Sequence, residues 1–245
     1  MTIVISMAGL SQRFIKAGFT LPKYMLYAKN KSLFNLALSS FSNYFTECNF
    51  LFIAREVYET KRFIQEECKL LGIENYEVVI LENPTQGQAE TVSIGLEKST
   101  IDENEPITIF NIDTFRPGLT FPKNIDDWDG YLEVFWGDGN NWSYAKTESK
   151  NSTKVIETAE KLQISNYCST GLYYFKSSKL FIEAYQSQTP ISESSLIKEF
   201  YVAPLYNVLI SQNKNIHIEL IQKSDVLFCG VPDEYYEYLK QISIE

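Results

Sequence analysis

Residues 2–7 (Thr-Ile-Val-Ile-Ser-Met), 48–54 (Cys-Asn-Phe-Leu-Phe-Ile-Ala), 76–81 and 107–111 are short, apolar, largely β-branched or aromatic runs. Between them stand stretches with helical period at 32–44, 57–71 and 88–98, the second followed by Gly72 where a left-handed cap residue belongs. Runs this short and this continuously apolar are strands covered on both faces. Their alternation with helices builds a parallel sheet between helical layers. Ligands in such sheets sit beyond the carboxyl ends of the strands, so the loops after Met7, Leu81 and Asn111 are expected to converge on one crevice.

After Asp113 the texture changes to shorter strands and turns, expected at 131–136, 143–147, 154–158 and 169–175 with a turn at Gly137-Asp-Gly-Asn-Asn141. Helices at 176–186, 196–212 and 233–242 and a strand at 216–221 complete the chain. The expectation is an α/β fold whose mainly parallel central sheet, flanked by helices, carries a mixed or antiparallel extension in the second half. At 245 residues and 44% hydrophobic content, with no Pro/Gly/Ser-rich linker and no repeat, residues 1–245 read as one domain. No segment approaches the ~18 apolar residues of a membrane helix, and residues 2–8 lack the basic leader of a signal peptide. Four widely spaced cysteines in apolar surroundings (Cys48, Cys68, Cys168, Cys229) read as reduced core thiols, which fits a cytoplasmic location and argues against zinc. The single histidine, His217, alternates with apolar neighbours and is expected on the polar face of a strand, which excludes a catalytic triad or a His-rich metal site.

Charge narrows the ligand. The chain carries a net charge of -9, yet its first acid is Glu47, and five bases (Arg13, Lys16, Lys23, Lys29, Lys31) precede it, leaving 17 bases against 31 acids in the remainder. A nucleic-acid surface spreads cations along a face, whereas positive charge confined to one end of an acidic chain suits a small anionic ligand.

The first loop has one glycine where a dinucleotide fingerprint needs three, so a nicotinamide site is disfavoured. It offers backbone N–H groups around Ala8 and Gly9, the Arg13 guanidinium, and Lys23 just after Pro22, a donor mixture suited to phosphate oxygens. Asn111-Ile-Asp113 places one carboxylate beyond a buried strand, where it can hold Mg²⁺ against phosphates. The segment Pro84-Thr-Gln-Gly-Gln-Ala-Glu-Thr-Val92 joins a strand to a helix and turns Gly87 and the Gln88 amide, a group able to read a base edge, toward the same crevice.

Together these residues resemble the nucleotidyltransferase family with the GT-A type, Rossmann-like fold, which makes sugar nucleotides and related activated headgroups. The resemblance rests on Met7-Ala-Gly-Leu-Ser-Gln-Arg13 with Pro22-Lys23, where Ser11 stands for the usual second glycine, and on Gln86-Gly-Gln-Ala-Glu90 and Asn111-Ile-Asp113. Further along, Ala159-Glu-Lys161 is similar to the family's Glu-Lys pair, Ser169-Thr-Gly-Leu-Tyr-Tyr-Phe175 to its acceptor-pocket strand, and Phe228-Cys-Gly-Val-Pro-Asp-Glu-Tyr235 to its Gly-Thr-Pro-Glu-Asp-Tyr turn. Many members carry a second metal-binding Asp just before that last glycine. Phe228 and Cys229 stand there, with Asp225 as the nearest substitute.

The resemblance implies a Mg²⁺-dependent nucleotidylyltransferase coupling a nucleoside triphosphate to a phosphorylated small molecule, foremost a sugar phosphate, with release of pyrophosphate, in a setting of bacterial surface-polysaccharide synthesis. Arg13 and Lys23 would stabilise the triphosphate and departing pyrophosphate, Lys161 would meet the acceptor phosphate, and Gln88 would read the base. Glu160, Thr170 and Gly171 would shape the acceptor pocket, and Asp113, with Asp225 as stand-in, would hold the metal. The aromatic and amide cluster Glu199-Phe-Tyr-Val-Ala-Pro-Leu-Tyr-Asn207 serves either as the floor of that pocket, through Tyr201, or as core and interface packing; a homo-oligomer is compatible with the sequence. Two other readings stay open: a glycosyltransferase of the same fold, for which Asn111-x-Asp113 replaces the usual Asp-x-Asp, and a non-catalytic nucleotide or sugar-phosphate sensor, which the missing second aspartate favours. Asp126-Asp-Trp-Asp129 reads as a solvated turn, and Asp233 and Glu234 as an acidic first turn favourable to the helix dipole.

Overall fold

The computed structural model describes residues 1–193 and 199–244. Its elements in chain order are β1 (Thr2–Ser6), α1 (Gln12–Lys16), β2 (Tyr27–Ala28), β3 (Lys31–Ser32), α2 (Leu33–Leu38), β4 (Asn49–Arg55), α3 (Thr60–Leu71), β5 (Tyr76–Leu81), α4 (Gln88–Lys98), β6 (Ile107–Asn111) and β7 (Thr114–Phe115). There follow β8 (Gly130–Trp136), β9 (Ser143–Thr147), β10 (Val155–Glu160), β11 (Tyr167–Phe175), α5 (Ser178–Glu193), α6 (Leu205–Ser211), β12 (Ile216–Ile221), β13 (Leu227–Phe228) and α7 (Pro232–Ile244).

β5, β4, β1 and β6 form a parallel block, as the alternation of strands and helices requires. β11 adds antiparallel to β6, and from it the sheet divides: one branch runs through β8 to β12, the other through β9 to β10. The second half is therefore the expected mixed extension. Alternate residues of each central strand feed opposite faces, Ile3, Ile5, Phe50 and Phe52 into one core and Val4, Leu51 and Ile53 into the other. The first core is closed by α2, α3 and α7 (Phe34, Ile64, Tyr235), the second by α4, α5 and α6 (Val92, Phe181, Leu209). Among the described residues no helix is long and apolar enough to cross a membrane, and all four cysteines are free and buried.

Three expected helices are shorter than their sequence pattern, each for a tertiary reason. The helix expected over 32–44 is capped by Ser32, whose Oγ accepts from Asn35 N at 2.9 Å, but it tightens to a 3₁₀ turn over Ser39–Tyr44 with non-helical backbone at Phe41. Phe41 is fully buried with its ring edge-on to Phe110 at 5.0 Å, so the backbone follows the ring. The helix expected over 57–71 starts only at Thr60, because Tyr58 and Glu59 take positive φ; it ends on Gly72 as expected. Of the helix expected over 196–212, residues 196–198 lie outside the described residues and 199–204 are not helical. Phe200 N donates to Gln86 O at 2.7 Å and Phe200 O accepts from Ala89 N at 3.0 Å, so this backbone is already paired with the loop before α4. α6 begins after Pro204, which has no N–H to give.

His217 is half-buried on β12, stacked on Trp128 at 4.6 Å, with Nδ1 bonded to Thr153 Oγ1 and Nε2 to Asn215 Oδ1, both at 2.8 Å. Its partners are those of a strand histidine, and it lines neither cavity described below.

Candidate active site

The loops beyond β1, β5 and β6 meet as the fold class requires, around a cavity of about 670 Å³ lined by residues 6–12, Lys23, the 84–88 loop, Asn111 and Asp113. Ala8, Gly9, Gly87 and Gln88, all expected here, line it. Ser11, at the family's second glycine, has φ 50, a left-handed conformation that explains why glycine is usual there. Its Oγ accepts from Lys23 N at 3.3 Å and draws the Pro22-Lys23 turn onto the loop. Tyr24 is buried with its hydroxyl 2.9 Å from Thr60 Oγ1, so the turn that carries Lys23 is anchored on α3.

Lys23 and Asp113 come together directly. Lys23 Nζ donates to Asp113 Oδ2 at 2.5 Å, a half-buried ion pair at the edge of the cavity. Asp113 is fixed from behind by its backbone oxygen, which accepts from Cys229 N at 2.8 Å across the β7–β13 pairing. A Cβ on Gly230 would lie 3.1 Å from Asp113 Oδ2 and 3.6 Å from Glu234 Oε2, so the Asp113 and Glu234 carboxylates flank one point.

Glu234 is thus the second acid beside Asp113, and Asp225 is not. The Asp225 side chain is exposed and turned back on its own 3₁₀ turn, accepting from Gln222 N at 3.3 Å, and it lines neither cavity. Glu234 Oε2 accepts from Gly230 N at 2.8 Å and Val231 N at 3.2 Å, capping α7 in a way that turns its carboxylate inward. Asp233 and Glu234 form the acidic first turn of α7 as expected, and the sequence signal for the added role of Glu234 is its place three residues after Val231, from which a carboxylate reaches back to the N-terminal N–H groups.

Gln88 differs from expectation in its partners. Its Nε2 donates to Ser6 Oγ at 3.0 Å and to Asn111 Oδ1 at 2.7 Å, so the amide ties the ends of β1 and β6 into a floor shared with a second cavity. Both amide hydrogens are engaged, and only the carbonyl oxygen is left for a base edge.

That second cavity, about 620 Å³, opens beside the first where the sheet divides, between Asn111, Ser143, Glu160, Ser169–Gly171, Tyr173, Tyr201 and Glu234. Gly171 has φ 92, and a Cβ on it would lie 2.1 Å from Asn111 Nδ2; only glycine lets the Asn111 amide lie across this strand. The buried Thr170 points its hydroxyl away, to Glu133 Oε1 at 3.1 Å, and shapes the cavity through its backbone. Glu160 accepts from Ser143 Oγ, which in turn accepts from Tyr173 OH at 3.2 Å; burial pushes the Glu160 carboxyl up, against the opposing pull of the Ser143 bond and Lys161. Arg13 is exposed on α1 and lines this second cavity rather than the first. Lys161, at φ 57, lies on the rim: its Nζ donates to Tyr201 OH, sits 4.5 Å from that ring's centroid and 3.8 Å from Glu199, and does not line the cavity. Tyr201 OH donates onward to Glu199, and burial together with this bond pushes the phenol up.

The donor set at Asp113 suits a hard divalent cation. Asp113 and Glu234 present carboxylate oxygens that could hold one, once the Lys23 ammonium that now neutralises Asp113 turns away. Among the described residues no group of three or more His, Cys, Asp or Glu forms a closed metal cage, and magnesium at nucleotide sites needs only one or two carboxylates, with water and phosphate oxygens for the rest.

No protein-family model and no curated protein sequence matches the chain. Solved structures do. The nucleoside-diphosphate-sugar pyrophosphorylase from Vibrio cholerae RC9 is 51% identical and superposes with a TM-score of 0.94 over 98% of this chain and 100% of that one. The inositol-1-phosphate CTP transferase from T. maritima (14% identity, TM-score 0.72, 99% and 96% covered) and a UDP-glucose pyrophosphorylase complexed with UDP-glucose (14%, 0.75, 99% and 98%) share its fold.

Proposed function

Because the chain belongs to the nucleotidyltransferase family of GT-A type fold, with its 51%-identical Vibrio relative, we propose that it joins a nucleoside triphosphate to a sugar phosphate and releases pyrophosphate. The observation that carries this reading is the pair of adjoining cavities with Lys23 and Asp113 at their border and Gln88 in their common floor. One cavity, with open backbone at Gly9, takes the triphosphate. The other, polar and aromatic, takes the acceptor.

The acceptor's phosphate oxygen attacks the α-phosphorus, and the bond to the β-phosphate's bridging oxygen breaks. The nucleophile is already an anion and needs no general base, and His217 lines neither cavity. Catalysis rests on alignment and charge neutralisation. Lys23 leaves Asp113 for the phosphates, Arg13 lies along the acceptor side, and Lys161 swings from Tyr201 to the acceptor phosphate. Glu160 and the Ser143 hydroxyl hold acceptor hydroxyls. Asp113 and Glu234 would hold Mg²⁺, which when bound would offset the negative charge of the phosphates. Supply of activated sugars for surface polysaccharide is part of the same reading and rests on the family resemblance. The test is pyrophosphate release with each of the four ribonucleoside triphosphates and deoxythymidine triphosphate against a panel of sugar 1-phosphates, with Mg²⁺ and with chelator. Release with one preferred pair supports the reading; binding of a triphosphate without release from any pair would move it to a sensor.

A further inference from the structure

β11 pairs with β8 in two stretches whose registers do not match: Ser169 faces Val134 and Tyr173 faces Leu132, so Thr170, Gly171 and Leu172 all stand opposite Glu133 alone. This is a bulge of three residues against one, and it lies where the sheet divides and the second cavity opens. Glu133 is a carboxylate in the interior of a central strand, its side chain 4% exposed. Burial raises its pKa. Its two oxygens are both used: Oε1 accepts the Thr170 hydroxyl at 3.1 Å, and Oε2 accepts from Arg116 Nε at 3.2 Å. Arg116 directly follows β7, the strand that leads out of Asp113. Its backbone N donates to Ser40 Oγ at 2.9 Å, and Thr114 Oγ1 donates to Thr170 O at 3.3 Å. One buried chain of contacts therefore runs from the segment carrying Asp113, through Arg116 and Glu133, into the strand that lines the acceptor cavity.

A buried ion pair is a poor source of net stability, since desolvation offsets most of its attraction, and a pair of apolar residues would fill the space as well. What it supplies is direction: two oxygens and a guanidinium fix where the bulge sits relative to β7. We propose that Arg116 and Glu133 are positioning residues for the acceptor, acting through Thr170 and the backbone of Gly171 to set the distance between the acceptor's phosphate and the Asp113 side of the site. This rests on the nucleotidyltransferase reading above. Neither side chain lines a cavity, so both act at one remove from the substrate.

The test is the double variant Arg116→Met/Glu133→Leu, which removes both charges of the pair and leaves only the half-buried Glu219, opposite residue 133 on β12, without the charge of Arg116; the Thr170 hydroxyl keeps the backbone oxygen of residue 133, at 3.4 Å, as an acceptor. The expected result is a melting temperature close to wild type, an acceptor KM raised about tenfold or more with kcat also lowered, and a triphosphate KM changed by less than about twofold, since misplacement by a fraction of an ångström suffices. Thr170→Val, which cuts the link to Glu133 alone, is expected to show the same split with smaller size, and it decides the matter if the double variant does not fold. An acceptor KM within about twofold of wild type in the folded variants, or equal rises in both KM values, overturns the positioning role while the function stands. A wild-type protein that releases no pyrophosphate with any pair overturns the functional reading and this inference with it.

Discussion

The two cavities adjoin but are built in different ways. Around the first, most of the lining comes from the ends of parallel strands and the short segments that follow them, within the first 113 residues, joined by Lys23 and Tyr24 from the turn after α1 and by Glu199. The second is gathered from β6, β9, β10, β11, the turn before α7 and the segment at 199–202, and its shape depends on a bulge and on one glycine. A parallel strand aims its following loop at the crevice whatever the rest of the chain does. An antiparallel branch delivers a residue to a cavity only when the register is right.

Asp113→Asn strikes the border of both cavities and is expected to have the largest effect: pyrophosphate release falls roughly 10²-fold or more, while circular dichroism shows an intact fold. Retained release at saturating Mg²⁺ would remove Asp113 from the site. Next comes Gly171→Ala, which forces a side chain into a left-handed backbone 2.1 Å from Asn111 Nδ2. It should cost on the order of 1–3 kcal/mol in denaturant unfolding and raise the acceptor KM more than the triphosphate KM. Equal rises would mean that the two cavities are one mechanical unit.

Gln88→Ala tests the shared floor. Since its amide hydrogens go to Ser6 and Asn111, the expected loss is about tenfold and similar for every triphosphate, the pattern of a lost positioning contact. A loss confined to one base would show that the Gln88 carbonyl reads the base. The smallest effect belongs to His217, which lines neither cavity. Its burial, with Lys154 nearby, lowers its pKa from 6.5, so below that value the unfolded chain takes up the proton more readily than the folded one. Its share of stability is present above pH 6.5 and is lost as pH falls through the lower folded value. Melting temperatures from pH 7.5 to 5 should therefore drop more steeply for wild type than for His217→Gln, with activity of the two alike at pH 7.5.

Much of the first cavity could be read from residues alone. Ala8, Gly9, Lys23, Gly87, Gln88 and Asp113 lie where the loops were expected to place them, although the partners of Gln88 were not foreseen. Arg13, which belongs to the same loop by sequence, lines the second cavity, a placement that spacing does not encode. Asp225 was chosen by nearness in sequence to the missing aspartate. The chain folds that turn on itself and brings Glu234 in instead, through a cap whose consequence appears only once α7 is set against Asp113.

By itself the sequence determined the order of strands and helices in the parallel block, the buried faces of its strands, and the loops that carry the first cavity, because period, β-branching and chain connection act over a few residues. The tertiary structure alone decided the Lys23–Asp113 pair, the Asn111 amide lying on Gly171, and the Arg116–Glu133–Thr170 chain behind the second cavity. These contacts join segments tens of residues apart in a fixed register. Register is a property of pairs of strands, so no single stretch of sequence contains it.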